Sequence, residues 1–89
     1  RALRLKPEEP AFIDSMGWIE FKLKNYDKSI VLLQRAYELE PHPEIAAHLG
    51  EALWAVGLEV DAKFVWTSAL DQFPDNDVLL DTVKRYGGD

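Results

Sequence analysis

The sequence has no cysteine and a single methionine among its 89 residues. Neither a disulfide framework nor a thiolate zinc site is therefore available, while the compartment stays open, because proteins of oxidising compartments can also lack cysteine. No apolar run approaches the roughly 18 residues needed to cross a bilayer, so no direct membrane insertion is expected. Strand signals are missing too: there is no alternating β-branched run and no Asn-Gly or Asp-Gly hairpin turn. No phosphate-cradling glycine loop, nucleophile motif or Cys/His zinc pattern appears, and the chain is expected to be neither an enzyme nor the holder of a cofactor. It starts at Arg1 without a signal-peptide pattern and reads as a piece of something longer.

Positive charge is scarce in the second half. Ten basic against sixteen acidic side chains give a net charge of −6. Residues 1–41 carry seven of each sign, and no Lys or Arg lies between Arg35 and Lys63. A phosphate backbone would be repelled by that half, which excludes nucleic acid as the expected partner.

What is present is helical periodicity. Apolar residues recur at steps of three and four in five stretches. Phe12, Ile13, Met16, Ile19 and Leu23 form the first stripe, and Tyr26, Ile30, Leu33, Ala36 and Tyr37 the second. Ile45, Leu49, Ala52, Leu53 and Val56 form the third; Ala62, Val65, Trp66, Ala69 and Phe73 the fourth. Val78, Leu79, Thr82, Val83 and Tyr86 make a shorter fifth. None of the five prolines falls inside a stripe, and Pro10 and Pro43 sit where a first helical turn would start, a position whose N–H has no intrahelical partner. Asn25 and Asp75 are N-cap candidates, and Gly87-Gly88 ends the last helix. The chain therefore reads as all-α, with short connections that make neighbouring helices antiparallel.

The stripes also repeat. Gly17 and Gly50 are 33 residues apart, as are Ala36 and Ala69, Pro41 and Pro74, Met16 and Leu49, and Leu33 and Trp66, while Pro7 precedes Pro41 by 34. One helical hairpin per period near 34 is the mark of a helical solenoid. Gly17, Gly50, Ala36 and Ala69 are small because paired helices cross closely there.

These residues resemble the tetratricopeptide repeat (TPR). The first repeat matches at Met16-Gly17, Ser29, Leu33, Ala36 and Pro41, with an Asn25-Tyr26-Asp27 turn; the second matches at Leu49-Gly50, Ala62, Trp66, Ala69 and Pro74, with Gly57 in its turn. Ala2, Leu5 and Pro7 look like the last turn of a preceding repeat's second helix. The resemblance implies a right-handed helical-hairpin solenoid. Residues 1–9 end a preceding repeat, 10–42 form repeat one (helices about 10–23 and 26–39), and 43–74 form repeat two (helices about 43–56 and 59–73). Residues 75–89 form a carboxyl-terminal capping helix, with Asp77, Asp81, Lys84 and Arg85 on its outer face and Lys84 where the pattern has Gly. Two slots depart from the family: Ile13 and Ala46 take the place of a Trp, and Glu20 falls where a buried Tyr is usual. Glu20 either reaches solvent or pairs with Lys24, four residues on. At the amino end Leu3, Leu5, Phe12 and Ile13 are expected to be partly uncovered, a patch for self-association.

The family resemblance implies a docking role for a partner polypeptide in the groove lined by the first helix of each hairpin. By spacing, the groove residues are Ala11, Asp14, Trp18, Phe21 and Lys22 in repeat one, and Glu44, Ala47, Glu51, Trp54 and Ala55 in repeat two, with His48 on the same helix. Trp18 should point openly into the groove, whereas Phe21 and Trp54 suit either the groove or a gap between helices. Aromatic rings beside carboxylates fit a partner segment that is apolar with some basic character. Glu44, His48 and Glu51 share a helix face at metal-ligand spacing, but one helix alone makes a weak site, and a polar groove face is the expectation. Asp14 and Glu51 are expected to be solvated, and His42, between two prolines, structural. The carboxylate-clamp variety, which grips acidic chaperone tails with Lys and Asn, is disfavoured by Asp14, Trp18, Ala47 and Glu51 at the corresponding positions.

A narrower resemblance rests on Asp14-Ser15-Met16-Gly17-Trp18, on the run from Pro43 to Glu51, and on Trp54. These look like the carboxyl-terminal repeats of large TPR lipoproteins of Gram-negative bacteria. That would imply a scaffold or adaptor on the periplasmic side of the outer membrane, presenting enzymes such as a processing protease to substrates; otherwise a cytoplasmic location is expected. The alternative role is architectural, a solenoid end or homo-oligomerisation element with no ligand of its own.

Overall fold

The computed structural model describes residues 9–86. Five α-helices follow one another: α1 (Pro10–Lys22), α2 (Tyr26–Leu39), α3 (Pro43–Ala55), α4 (Glu59–Gln72) and α5 (Asp77–Arg85). There is no strand among the described residues. Leu3 and Leu5 of the expected apolar patch, the reading of Ala2, Leu5 and Pro7 as a preceding helix end, and the Gly87-Gly88 helix stop lie outside the described residues.

Consecutive helices pack as antiparallel hairpins. In addition, α1 packs on α3 and α3 on α5, whereas α2 and α4 do not meet. The helix layer therefore closes on the side of α1, α3 and α5 and opens on the side of α2 and α4. The helix α3 touches all four others, and its sequence allows it: Ala46, Ala47, Gly50 and Ala52 are buried on different sides of the helix, and small residues let four neighbours approach.

Each hairpin is closed by the same pair of interlocking parts. At the crossing a glycine faces a large residue, Gly17 against Leu33 and Gly50 against Trp66. At the turn both first helices end in the two backbone hydrogen bonds of a Schellman motif. Asn25 N–H donates to the Glu20 carbonyl (2.9 Å) and Lys24 N–H to that of Phe21 (3.0 Å). Leu58 N–H donates to Leu53 (3.0 Å) and Gly57 N–H to Trp54 (2.9 Å) in the same manner. The left-handed residue of that motif is Gly57 (φ 88°) in the second hairpin and Lys24 (φ 69°) in the first.

Several expectations need correction. Asn25 stands at the N-cap of α2, but its side chain makes no cap bond; its amide donates instead to Glu20 Oε1 at 2.8 Å. That contact, not Lys24, is the partner of Glu20, because the left-handed turn at Lys24 swings Asn25 back over the last turn of α1. The cap of α5 is Asn76 rather than Asp75, with Leu79 N–H donating to Asn76 Oδ1 at 3.0 Å. Ile13 is not an open apolar residue; it is buried together with Ala36 and Ile45. The open stripe of α1 is formed by Phe12, Met16, Ile19 and Leu23, which are 37–63% exposed.

Candidate functional site

The inner face carries two side-chain clusters, each joining residues about one repeat apart. The first is built on α1 and α3. Asp14 Oδ1 lies 3.0 Å from His48 Nδ1, 34 residues away, within hydrogen-bond distance. The imidazole stacks on the Trp18 indole, with centroids 4.0 Å apart and an 18° interplanar angle. Trp18 also stacks on Phe21, one helical turn on, at 4.6 Å and 3°, and Phe21 meets the edge of Tyr26 at 5.5 Å. A carboxylate, an imidazole and three aromatic rings thus run along the seam from α1 to the start of α2. Helical spacing explains the order, since Asp14, Trp18 and Phe21 follow at steps of four and three.

At the amino ends of α1 and α3 this cluster opens into a depression of about 250 Å³ lined by Ala11, Asp14, Glu40, His42, Glu44 and Ile45. Three of the six lining residues are carboxylates. The imidazole of His42 accepts the Glu44 N–H at 3.2 Å, so His42 caps α3 rather than facing a ligand.

The second cluster joins α3, α4 and α5. Glu51 Oε1 accepts the Tyr86 hydroxyl at 2.9 Å, and Oε2 lies 3.4 Å from an Arg85 guanidinium nitrogen. Arg85 also pairs with Asp81 at 3.2 Å, one turn back. Burial and the Glu51 hydrogen bond raise the pKa of the Tyr86 phenol above its usual value, because both favour the protonated form. The Glu51 charge raises that of Arg85. Beneath, Trp54, Trp66 and Tyr86 form a ring triangle with centroids 5.3–5.9 Å apart, and Lys63 Nζ sits 5.9 Å from the Trp54 ring.

The expected groove residues therefore divide. Asp14, Trp18, Phe21 and His48 come together, with Glu44 at the edge of the same depression, while Lys22 is exposed. Ala47 is 1% exposed; its carbonyl accepts the Trp66 indole N–H at 3.4 Å, so it belongs to the core and not to the groove. Glu51 is 8% exposed, not solvated, because α5 folds over it. Trp54 fills the space between α3, α4 and α5, the gap-filling alternative. Trp18 is half-buried rather than open, its ring engaged by Phe21 and His48. Arg85, assigned to the outer face of α5, turns back to Glu51.

Glu44, His48 and Glu51 do not converge: His48 turns to Asp14 and Glu51 to Tyr86. Among the described residues no group of three or more His, Asp or Glu side chains could hold a metal ion. Tyr86 was not among the expected site residues. The signal was available in the spacing, since Glu51 precedes Tyr86 by 35 and Arg85 by 34, as Asp14 precedes His48 by 34.

No family model matches the chain. Over 88 residues it is 44% identical to a TPR repeat-containing protein of Pseudomonas aeruginosa, a match covering 99% of this chain and 15% of that protein. The chain thus spans under a sixth of the length of the relative it matches.

Proposed function

We infer that this chain, whose helical hairpins are tetratricopeptide repeats, is a protein-docking module within a larger scaffold, holding a partner segment on its inner face. The carrying observation is the Asp14–His48–Trp18–Phe21 seam leading into the acidic depression beside Glu44. Rigid aromatic edges supply apolar contact at low entropic cost, and the exposed carboxylates Glu40 and Glu44 at the rim select a basic side chain in the partner.

Two exchanges test this in the full-length parent, with captured proteins identified after pull-down. Glu44→Lys, at an exposed position, should weaken capture by about tenfold with only a small fall in melting temperature, since it reverses the one carboxylate in the first turn of α3. Trp18→Ala should weaken it at least as much, with a modest stability loss, since each aromatic pair is worth about 0.5–1.5 kcal/mol. Undiminished capture by both variants refutes the assignment. The finer role of a periplasmic adaptor tethered to the outer membrane rests on the run Asp14 to Trp18 and on Pro43 to Glu51. Fractionation of cells carrying the tagged parent tests it, and recovery in the cytoplasm refutes it.

A second reading, self-association, is favoured by the exposed stripe Phe12, Met16, Ile19 and Leu23 along α1.

A further inference from the structure

The opposite face of the layer carries a depression that the inner-face reading does not use. Because α2 and α4 diverge, a cleft of about 400 Å³ is left between them, floored by Leu49 and Leu53 of α3 and walled by Tyr37 and Val65. At its rim Phe64 is 70% exposed, and Val60, one turn earlier on α4, is 81% exposed. Val31, the counterpart of Phe64 one 33-residue period earlier, is 68% exposed as well. A large apolar side chain at the same outward position of both second helices gives the outer face an apolar row. An isolated exposed Phe would need no explanation, but a row of three beside an apolar cleft forms a patch.

The charge around the cleft is of one sign. Glu38 and Asp61, both exposed, stand at its edge, and none of the lining residues is basic. Such a rim repels an anionic lipid surface, and a second copy docking here would bring an equally acidic rim against it.

We propose that the cleft between α2 and α4 is a second docking site, for an amphipathic protein segment that places a leucine-sized side chain on Leu49 and Leu53 and a Lys or Arg beside Glu38 and Asp61. Phe64 supplies the aromatic wall, the kind of anchor that carries most of the energy at small interfaces. The site lies on the other face from Trp18 and does not depend on the inner-face assignment.

The test uses two synthetic helical peptides, one with Leu and Lys on adjoining faces and one with Glu replacing every Lys, each labelled with fluorescein. Fluorescence anisotropy should show the Leu-Lys peptide binding the chain and the Leu-Glu peptide not binding. Phe64→Ser, at an exposed position, should weaken binding by about tenfold. Glu38→Gln with Asp61→Asn should weaken it and flatten its salt dependence, whereas Trp18→Ala should leave it within about twofold. Amide shifts of the ¹⁵N-labelled chain should cluster at residues 34–38, 49–53 and 61–65. The proposal is overturned if the Leu-Lys peptide does not bind, if the Leu-Glu peptide or the Phe64→Ser variant binds as well, or if the shifts map to Asp14, Trp18 and His48.

Discussion

Gly17 and Gly50 occupy the same place in the two hairpins, yet their neighbours differ in how far they can yield. A Cβ at Gly17 would come within 2.7 Å of Leu33 Cγ and 2.9 Å of its Cδ2, a milder overlap that the fully buried Leu33 must shift to relieve. A Cβ at Gly50 would overlap the indole of Trp66, which is rigid, 1% exposed and hydrogen-bonded to the Ala47 carbonyl. Replacing a mid-helix Gly by Ala gains about 1 kcal/mol of helix propensity, while overpacking costs about 1–3 kcal/mol. Gly17→Ala should therefore stay within about 1 kcal/mol of the parent, and Gly50→Ala should lose about 2 kcal/mol, as measured by urea unfolding followed by tryptophan fluorescence. Equal losses at both sites would contradict the account. That both glycines mark a close crossing was legible from their spacing; which side chain fills each crossing was not. The period pairs Leu33 with Trp66 but says nothing about their freedom to move. The same limit hid Glu51: its burial depends on α5 folding back over it, and the apolar pattern of one helix carries no information about that.

At the scale of elements, the two turns are a controlled comparison. Lys24 and Gly57 are equivalent by one period and both left-handed, in turns with the same backbone hydrogen bonds. A Cβ at Gly57 would meet nothing within 4 Å, so only backbone strain distinguishes the two positions. A left-handed conformation costs a non-glycine residue about 1 kcal/mol. Lys24→Gly should stabilise the chain, and Gly57→Ala destabilise it, each by about 1 kcal/mol in thermal unfolding. A fall in stability for Lys24→Gly would mean that its side chain compensates the strain. The docking of α5 is a separate case. Nine residues are too few for a helix that stands alone, so α5 depends on its Asn76 cap and on the contacts of Tyr86 and Arg85 with Glu51. The folded state raises the Tyr86 pKa above its unfolded value near 10, so it binds that proton more tightly than the unfolded chain does. The resulting stability is fully present below about pH 10 and is lost as pH rises through the folded value. Tyr86→Phe should lower the melting temperature at neutral pH and show a smaller further decline above about pH 10 than the parent. A parallel decline in both would show that Tyr86 does not contribute to it.

At the scale of the whole molecule, the repeat period exposes an asymmetry that no single helix shows. Shifting the α1 stripe of Phe12, Met16, Ile19 and Leu23 by 33 residues gives Ile45, Leu49, Ala52 and Val56 on α3. Ile45, Leu49 and Ala52 are at most 5% exposed, with α2 packed beside α3, whereas every member of the α1 stripe is exposed. Sequence periodicity identified both stripes as apolar faces with equal clarity, because it reports which face is apolar and not what covers it. Four large side chains in one row along α1 form a surface that water opposes, and a second copy can cover it by pairing α1 with α1 about a twofold axis. The isolated chain should therefore show a concentration-dependent rise in sedimentation coefficient through the micromolar range. Met16→Glu with Ile19→Glu should hold it monomeric, since the acidic pair would have to be buried on dimerisation. Both positions are exposed in the single chain, so helicity and melting temperature at low concentration should change little. Association that persists in the double variant would place the contact elsewhere than on the α1 stripe.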